Sequence, residues 1–410
     1  MAAYDTTKEL IIDPLITAFF IGENEETSAP KCMTADNEGN IYVAGFSASS
    51  YAIYKFDSRI ETMPGSVLFG SLANINRANC PNIYDMAIDA ENNIYVTGYT
   101  DYYDDFPITE NAFDGNGGGE EGFVTKFNSD LNQMLASTFI GTEEDDRAHA
   151  LAIDQDGNVY VTGQTQNPVT ESNDATPFPT SSNAYDTDTG EYLKIKAFVM
   201  MLDSELQTML ASTLLGYNGE DDFLLDDIGY DITIDQTGDI IVAGITEAEA
   251  FPITDGCADS TFQGEQEMFI AKFDPDLQTL LVSTFLGGLN NEKPNALAVD
   301  SSNEIFIAGW TTSSDFPVIT DNYDTTYNLY EDGFVTKLNN NLTQVIASTF
   351  LGGEGADQVS DLFINAEDTI ILAGGTGSAN FPTTTDAHDT SFNGGDSDDF
   401  YKGDGFYHRI

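Results

Sequence analysis

Basic residues are scarce in this chain. Its 410 residues contain 14 Lys and Arg against 69 Asp and Glu, which gives a formal net charge of −55. A surface of this charge repels nucleic acid and anionic membrane surfaces, because both carry charge of the same sign. We therefore expect neither class among the partners of the chain.

Cysteine and long apolar runs are also missing. The three cysteines, Cys32, Cys80 and Cys257, are too few and too scattered for a disulfide framework or a thiolate metal site. Free thiols are expected, with a Cys32–Cys80 bridge as the alternative. No apolar run approaches the roughly 20 residues of a membrane helix, so no membrane insertion is expected. The first residues lack the basic start and apolar stretch of a signal peptide, which leaves a native soluble protein or a mature or trimmed segment.

What the sequence has instead is a tandem repeat, in a chain of 41% hydrophobic residues. Three short elements recur in six copies, spaced about 65–75 residues apart from the second copy on. Ser-Thr-Phe-Leu-Gly is the type of the first, at residues 137–141, 212–216, 283–287 and 348–352, with degenerate copies at 17–22 and 66–70. Ile-Tyr-Val-Thr-Gly is the type of the second, at residues 41–45, 94–98, 159–163, 240–244, 305–309 and 370–374. Gly-Phe-Val-Thr-Lys-Phe is the type of the third, at residues 54–56, 122–127, 197–202, 269–273, 333–338 and 405–410.

Each copy predicts four short strands, since runs of Ile, Val, Phe, Tyr and Thr alternate with Gly, Asn and Asp. The first two strands of a copy meet at turns such as residues 154–158, Asp-Gln-Asp-Gly-Asn. Asp154 can accept main-chain N–H groups there, and Gly157 supplies a positive φ. The sequence of this turn resembles a calcium-binding loop. However, an apolar strand follows it and no Glu stands six residues further on, which favours a tight hairpin.

Four-stranded units repeated in a ring make a β-propeller. We therefore predict a single all-β domain over residues 1–410, a propeller of six four-stranded blades. The predicted blades are approximately residues 23–70, 71–141, 142–216, 217–287, 288–352 and 353–410. The last copy stops after its third strand, so residues 10–22 are expected to supply its fourth strand and close the ring, which hides both sheet edges.

These motifs, together with the Asp-Phe-Pro element, resemble the SBBP-type β-propeller repeat. The resemblance covers essentially the whole chain. It implies a secreted or cell-surface protein of the kind found in bacteria and archaea, and it brings no shared catalytic residues. The family's name implies seven blades, which is the alternative to six.

Long connections between the second and third strands carry a Phe-Pro pair in five copies, at residues 106–107, 178–179, 251–252, 316–317 and 381–382. We expect Phe to wedge between blades and Pro to fix the turn. Connections between blades carry acid clusters on the same predicted face, at Glu143, Glu144, Asp145, Asp146, Glu220, Asp221 and Asp222. These clusters either keep the chain soluble in high salt or bind a hard cation such as Ca²⁺.

Two other positions repeat in chemically meaningful ways. The strand expected to line the channel carries Asp85, Asp231 and Asp361 in alternate copies, a ring whose mutual repulsion raises proton affinity unless a cation neutralises it. A metal ion held by this ring is the hypothesis, against a merely solvated channel. The third strand carries one basic position, occupied by Lys55, Lys126, Lys272, Lys337 and Arg409, with Met201 as the exception. We expect these five to pair with acids inside their blades as structural pins.

The sequence contains few candidates for catalysis: it has three histidines (His149, His388 and His408) and no Gly-x-Ser-x-Gly motif. We therefore predict a non-catalytic extracellular or cell-surface module that acts through its acidic, loop-rich face as a binding or structural scaffold. The expected partner is a protein, a glycan or another copy of the chain, and Ca²⁺ is the one cofactor considered. A metal-dependent hydrolase or lactonase, with His149 as the residue to mutate, and a subunit of an extracellular filament or surface layer are the alternatives.

Overall fold

Six antiparallel sheets make up the protein, as the sequence predicts. The computed structural model describes residues 28–47, 49–71, 82–101, 103–166, 176–189, 194–219, 225–319, 323–385, 387, 389–392, 394 and 403–409. Each sheet is built from consecutive strands, numbered here as blades 1 to 6 in chain order. Within these residues the one helical element is a 3-10 turn, Tyr103–Asp105.

The first three blades have four strands each. Blade 1 contains β1 (Ser28–Ala35), β2 (Ile41–Ser47), β3 (Ser50–Phe56) and β4 (Gly65–Phe69). Blade 2 contains β5 (Asn82–Ile88), β6 (Ile94–Thr100), β7 (Glu121–Phe127) and β8 (Met134–Ile140). Blade 3 contains β9 (Asp146–Ile153), β10 (Val159–Gln166), β11 (Ile195–Leu202) and β12 (Met209–Leu215).

Blades 4 and 5 repeat the same order, and blade 6 has three described strands. Blade 4 contains β13 (Asp227–Ile234), β14 (Ile240–Thr246), β15 (Glu267–Phe273) and β16 (Leu280–Leu286). Blade 5 contains β17 (Glu292–Val299), β18 (Ile305–Thr311), β19 (Asp332–Leu338) and β20 (Val345–Leu351). Blade 6 contains β21 (Asp357–Ile364), β22 (Ile370–Thr376) and β23 (Asp404–Arg409). Residues 10–22, expected to complete blade 6, lie outside the described residues.

The first hairpin of each blade is the predicted tight turn. In blade 3, Asp154 Oδ1 accepts the main-chain N–H groups of Asp156 at 2.9 Å and Asn158 at 2.8 Å. Gly157 has a φ of 83°, a conformation open to glycine at little cost. The carboxylate therefore holds the turn closed with donors from the turn itself.

The first strands of the blades stand side by side around the channel, so we call them the innermost strands. Hydrogen bonds link neighbours directly: Leu151 N to Asp85 Oδ2 at 2.9 Å, His149 Nδ1 with Gly229 O at 2.9 Å, Leu297 N to Asp231 Oδ2 at 2.6 Å, and Asn295 Nδ2 to Val359 O at 2.8 Å. β1 packs beside β5. Burial raises the pKa of the Cys32 thiol of β1, and Asp85 of β5 and Asp361 of β21 raise it further. The six innermost strands therefore surround one axis.

Phenylalanines fill the spaces between blades, and the Phe-Pro pairs supply part of this filling. Phe251 lies 4.4 Å (ring centroids) from Phe269 of its own blade and belongs to a core cluster that includes Val199 of blade 3. The other Phe-Pro residues repeat this stacking on the third strand, in the pairs Phe106–Phe123, Phe178–Phe198, Phe316–Phe334 and Phe381–Phe406. The expected wedge between blades is confirmed.

Buried leucines plug the turns between the third and fourth strands. Leu131, Leu206, Leu277 and Leu342 are at most 2% exposed and have φ between 50° and 56°. A positive φ is uncommon for a bulky residue, and burial of the side chain compensates for that cost here. The sequence marks these positions, since each Leu stands three residues after the Asp or Asn that follows the third strand.

Cys32 and Cys257 are free thiols, so the alternative of a Cys32–Cys80 bridge is wrong; Cys80 itself lies outside the described residues. Across the part of the chain that is described, no helix is long and apolar enough to span a membrane.

Candidate ligand pocket at the channel mouth

Every innermost strand carries a bulge at the same repeat position. The register with the second strand slips by one residue in all six blades. The residues at the slip are Lys31, Tyr84, His149, Tyr230, Asn295 and Ser360. A bulge frees one residue from the ladder and redirects its side chain. The ring therefore presents one unlike residue per blade near its axis.

Four of these bulge residues line a cavity of about 540 Å³ at the long-connection end of the channel. Its walls come from four consecutive blades, 2 to 5, through Tyr84, His149, Tyr230 and Asn295. A volume of this size is within the range of small-molecule sites. We refer to it as the mouth pocket.

A stack of rings and cations forms the wall of the mouth pocket. Lys293 Nζ lies 4.2 Å from the centre of the Tyr230 ring, which stacks on His149 at 5.2 Å. His149 meets Tyr84 edge-on at 5.0 Å. Beyond Tyr84, Tyr99 stacks at 5.7 Å and carries Arg147 on its face at 4.7 Å. The stack therefore begins and ends with a cation, and its contacts fix the orientation of each ring.

His149 is neutral in this setting. It is 9% exposed, and its Nδ1 lies 2.9 Å from Gly229 O. Burial, the first cause, lowers the pKa of His149 to about 3, and the charges of Lys293 and Arg147 act in the same direction. The histidine therefore stays uncharged over the physiological pH range and works as a wall of the pocket.

The two cations of the mouth pocket differ in their partners. Arg147 Nε donates to Glu120 Oε2 at 2.6 Å, an ion pair between two partly exposed side chains. Lys293 has no ion pair with any described residue, and burial lowers its pKa. Amide groups of Gln164 and Gln166 and the carboxylates of Asp145 and Asp226 complete the polar lining.

The acids of the predicted channel ring lie on innermost strands, and their carboxylates bind main chain. Asp85 Oδ1 accepts Met86 N at 2.7 Å, while its other oxygen bonds β9 of the next blade. Asp231 repeats this arrangement with Ile232 N at 2.8 Å and β17. Burial raises the pKa of Asp85 and Asp231; repulsion by another of the three acids is the second effect at Asp231 and a smaller one at Asp85. Asp361 is exposed. A cation bound by the ring stays a prediction.

The predicted acidic loops are only partly described. Glu143 and Asp145 are exposed, and Asp145 Oδ1 accepts Glu120 N at 3.0 Å. Asp146 is the exception, because it is fully buried and its Oδ2 accepts Thr142 N at 2.6 Å. Glu220, Asp221 and Asp222 lie outside the described residues. Nowhere among the described residues is a group of three or more His, Cys, Asp or Glu arranged to hold a metal ion.

The basic row of the third strands pairs as predicted in three blades. Lys272 Nζ lies 2.7 Å from Asp235 Oδ2 and 3.1 Å from Asp239 Oδ2. Lys126 lies 3.4 Å from Asp89, and Lys337 lies 3.1 Å from Asp300. Two members depart from the prediction among the described residues. Lys55 donates to Ser129 O of the next blade at 3.0 Å, and Arg409 has no ion pair.

The mouth pocket itself was not predicted, apart from His149 and Asp145. The bulge that exposes Tyr84, Tyr230 and Asn295 follows from hydrogen-bond register, which composition does not report. A signal was available: aligned copies carry a polar or aromatic residue immediately before the channel position of Asp85 and Asp231.

Two stretches of the chain, residues 137–168 and 283–317, match the family model of the SBBP beta-propeller repeat. Each match runs from the fourth strand of one blade into the segment after the second strand of the next. The resemblance seen in the motifs is confirmed at both places. No curated protein matches the chain.

Solved structures with a similar arrangement differ widely in what they are. A protein of unknown function from Dyadobacter fermentans has a TM-score of 0.44 and 10% identity, covering 88% of this chain and 93% of that one. Polysaccharide lyase Uly1 has a TM-score of 0.43 and 10% identity, covering 91% of this chain and 80% of that one. BamB from Moraxella catarrhalis has a TM-score of 0.37 and 12% identity, covering 83% of this chain and 82% of that one. Likeness at this level carries no argument about function.

Proposed function

Taking as premise a six-bladed propeller that carries SBBP repeats, we propose that the protein is a non-catalytic extracellular binding module whose mouth pocket holds a carboxylate-bearing sugar of a glycan. One observation carries the proposal. In a chain with 69 acidic and 14 basic residues, the partly buried Lys293 in this pocket has no carboxylate partner among the described residues. A ligand carboxylate supplies the missing counter-charge.

Hydroxyl groups fit the rest of the lining. Gln164, Gln166, Asn295 and the carboxylate of Asp226 offer both donors and acceptors, which is what a polyhydroxylated ligand requires. The faces of Tyr230 are occupied by Lys293 and His149, so recognition rests on hydrogen bonds and charge. Aromatic packing contributes by holding these groups in place before the ligand arrives.

The net charge of −55 restricts the ligand further. A long polyanion is repelled by the whole molecule, most strongly at low salt. Short fragments or chain ends, with one or two acidic sugars, avoid most of this repulsion. Binding is therefore expected to be tightest for short acidic oligosaccharides at physiological ionic strength.

Calorimetry with short uronic-acid oligosaccharides, their carboxyl-reduced forms and neutral analogues tests the proposal. Lys293→Gln is expected to weaken binding of the acidic fragment about 10–100-fold, the loss of one charge-assisted hydrogen bond. Carboxyl reduction of the ligand should cost the wild type as much and the variant nothing further. Lys31→Gln, the same charge change at the exposed bulge of blade 1, is the control and leaves affinity unchanged.

Three outcomes contradict the proposal. Equal affinity of wild type and Lys293→Gln for the acidic fragment removes its basis. Turnover of the fragment, or of lactone and ester substrates in hydrolytic profiling, favours the alternative of a hydrolase or lactonase, and loss of that turnover in His149→Ala would locate it in the same pocket. Concentration-dependent polymers in sedimentation experiments favour the filament or surface-layer alternative.

A further inference from the structure

Pairs of buried carboxyl groups recur where consecutive blades meet. One member is the first residue of a third strand, and the other is the first residue of the next innermost strand. The pairs are Glu121 with Asp146, Glu267 with Glu292, and Asp332 with Asp357, at the junctions of blades 2–3, 4–5 and 5–6. We call them the junction pairs. All six side chains are at most 1% exposed.

The two members of each pair converge on one point. At the junction of blades 4 and 5, a Cβ placed on Gly287 would lie 2.5 Å from Glu292 Oε2 and 3.1 Å from Glu267 Oε1. Gly141 and Gly352 occupy the same place at the other two junctions, again next to an oxygen of each carboxyl group. Two carboxyl groups therefore share a small buried space with no side chain between them.

Each of these carboxyl groups has one oxygen satisfied and one left over. Glu267 Oε2 accepts Gln263 N at 2.7 Å, and Glu292 Oε1 accepts Thr311 Oγ1 at 2.8 Å. The unpartnered, buried oxygens of the junction pairs are Glu121 Oε1, Asp146 Oδ1, Glu267 Oε1, Glu292 Oε2, Asp332 Oδ1 and Asp357 Oδ1, and Asp227 Oδ1 at the junction of blades 3 and 4 is also unpartnered. Buried polar atoms without partners are rare and need a cause. Their recurrence at equivalent positions of successive blades indicates a common cause.

The junction of blades 3 and 4 contains a cation of its own. Lys196 takes the register position of the acid, opposite Thr165, as Glu121 stands opposite Thr100 and Glu267 opposite Thr246. Lys196 is 1% exposed. Its Nζ lies 3.4 Å from Asp186 Oδ2 and also contacts Asp188 O and Asn218 Oδ1. Its charge lowers the pKa of Asp227, the acid on the adjoining blade, against the larger raising effect of burial.

We propose that the three junction pairs bind divalent hard cations, with Ca²⁺ as the fitting ion, and that the Lys196 ammonium replaces that cation at the fourth junction. Charge supports this assignment. Two carboxylates balance one divalent ion, and the single carboxylate of Asp227 balances one ammonium. The loop acid near each junction, Asp186 beside Lys196 and Asp114, Asp259 or Asp324 at the others, adds the same single charge at all four, so the four junctions become equivalent in charge. A monovalent ion would leave a buried negative charge at each pair, which is costly.

The chemistry of the surrounding atoms agrees with Ca²⁺, which takes carboxylate, main-chain carbonyl and amide oxygens in flexible numbers. Lys196 touches one of each kind, Asp186, Asp188 and Asn218. Asp114, Asp259 and Asp324 follow the same backbone pattern as Asp186 in their blades, since the main-chain O of each accepts an N–H from the fourth strand. The pairs supply two carboxylates each, and oxygens of these loops would complete the shell.

Calcium binding by the full chain after chelator treatment tests the proposal directly. Calorimetric titration with CaCl₂, at ionic strength matched with NaCl and with MgCl₂ as comparison, is expected to show three tight sites per chain. The melting temperature should rise and saturate over the same concentrations. The swap Glu267→Lys is expected to bind two ions, and the reverse swap Lys196→Glu is expected to bind four.

Glu265→Lys is the matched control, because it makes the same charge change two residues away at an exposed side chain and should leave three sites. Asp85→Asn, Asp231→Asn and Asp361→Asn together should also leave three sites, whereas sites in the channel ring would be lost. If Glu267→Lys does not fold, Lys196→Glu alone decides. A chain without tight Ca²⁺ sites, or a count that the swap leaves unchanged, overturns the proposal.

Discussion

On the face formed by the short turns, the acid of each hairpin is surrounded by donors; at the junctions on the opposite face, acids of the same kind face each other. Asp235 accepts main-chain N–H groups from its own turn and the ammonium of Lys272, and these hydrogen bonds lower its pKa against the opposing effect of burial. Burial, with a smaller contribution from Asp146 beside it, raises the pKa of Glu121 to about 9. A carboxylate is therefore stabilising where the backbone turns its N–H groups inward, and we propose that a bound cation stabilises it where strands begin side by side.

Removing the cation from the short-turn face should have the largest effect. Lys272→Met leaves Asp235 buried without its ion pair, and we expect a loss of about 3–5 kcal/mol in the free energy of unfolding. Urea unfolding followed by fluorescence measures it. The loss should be the same with Ca²⁺ or chelator. Lys55→Met, which breaks only a bond to a carbonyl, should cost much less; equal losses in the two variants would contradict the role of the buried pair.

Removing one charge from a junction pair should stabilise the protein without calcium and destabilise it with calcium. In chelator at pH 8, Glu267→Gln is expected to stabilise the protein by about 1–3 kcal/mol, since it relieves two buried like charges. In millimolar Ca²⁺ it is expected to be less stable than the wild type, because one site is lost. Thermal melts in both buffers decide. The same sign in both conditions would show that no ion resides at this junction.

Acid should destabilise the protein through the short-turn face. The pKa values of Asp36 and Asp235 are lowered in the folded state; burial opposes this, but the hydrogen bonds of their turns, and at Asp235 the hydrogen bond from Lys272, outweigh it. Their contribution is therefore present above the ordinary carboxyl pKa of about 4 and is lost as pH falls through the lowered values. Urea midpoints between pH 5 and 3 should fall more steeply for the wild type than for Asp235→Asn. Parallel curves would refute the assignment.

The smallest effect is expected in the exposed acidic loop. Glu143→Gln removes one carboxylate charge, as Glu267→Gln does, but from an exposed side chain a few residues from Asp146. Its unfolding free energy should change by no more than about 0.5 kcal/mol. The number of Ca²⁺ sites should stay the same. A lost site would move the cation from the junction pairs to the loop.

Much of the fold was predictable because the repeat restates it six times. The second element and the Asp-x-x-Gly-Asn turn recur at fixed spacing, and the hairpins they predict are present in every blade. The Phe-Pro wedge was predictable for the same reason. A repeated structural feature can be predicted from a single sequence, because each copy can be compared with the others.

The sites were predicted less well because they depend on which side chains the ring brings together. Glu121 and Asp146 are 25 positions apart and belong to different copies, so each looks like one acid among 69. A signal was nevertheless present. Glu121, Glu267 and Asp332 stand two residues before a Phe of the third element, and Lys196 stands at the same offset. The stack at the mouth pocket offered a weaker signal, the polar or aromatic residue before the channel position, because its geometry follows from bulges in the ladder.

The bulge shared by the innermost strands has a consequence for how such a protein diversifies. Six duplicated units give a ring with near-sixfold symmetry, which by itself offers only a symmetric surface to a ligand. The bulge residue lies outside the hydrogen-bonded ladder, so it can change in one unit without disturbing the pairing that holds that unit together. Lys31, Tyr84, His149, Tyr230, Asn295 and Ser360 are six such independent choices. The repeated units supply the propeller framework, and the differences at these six positions make the channel mouth asymmetric without changing that framework.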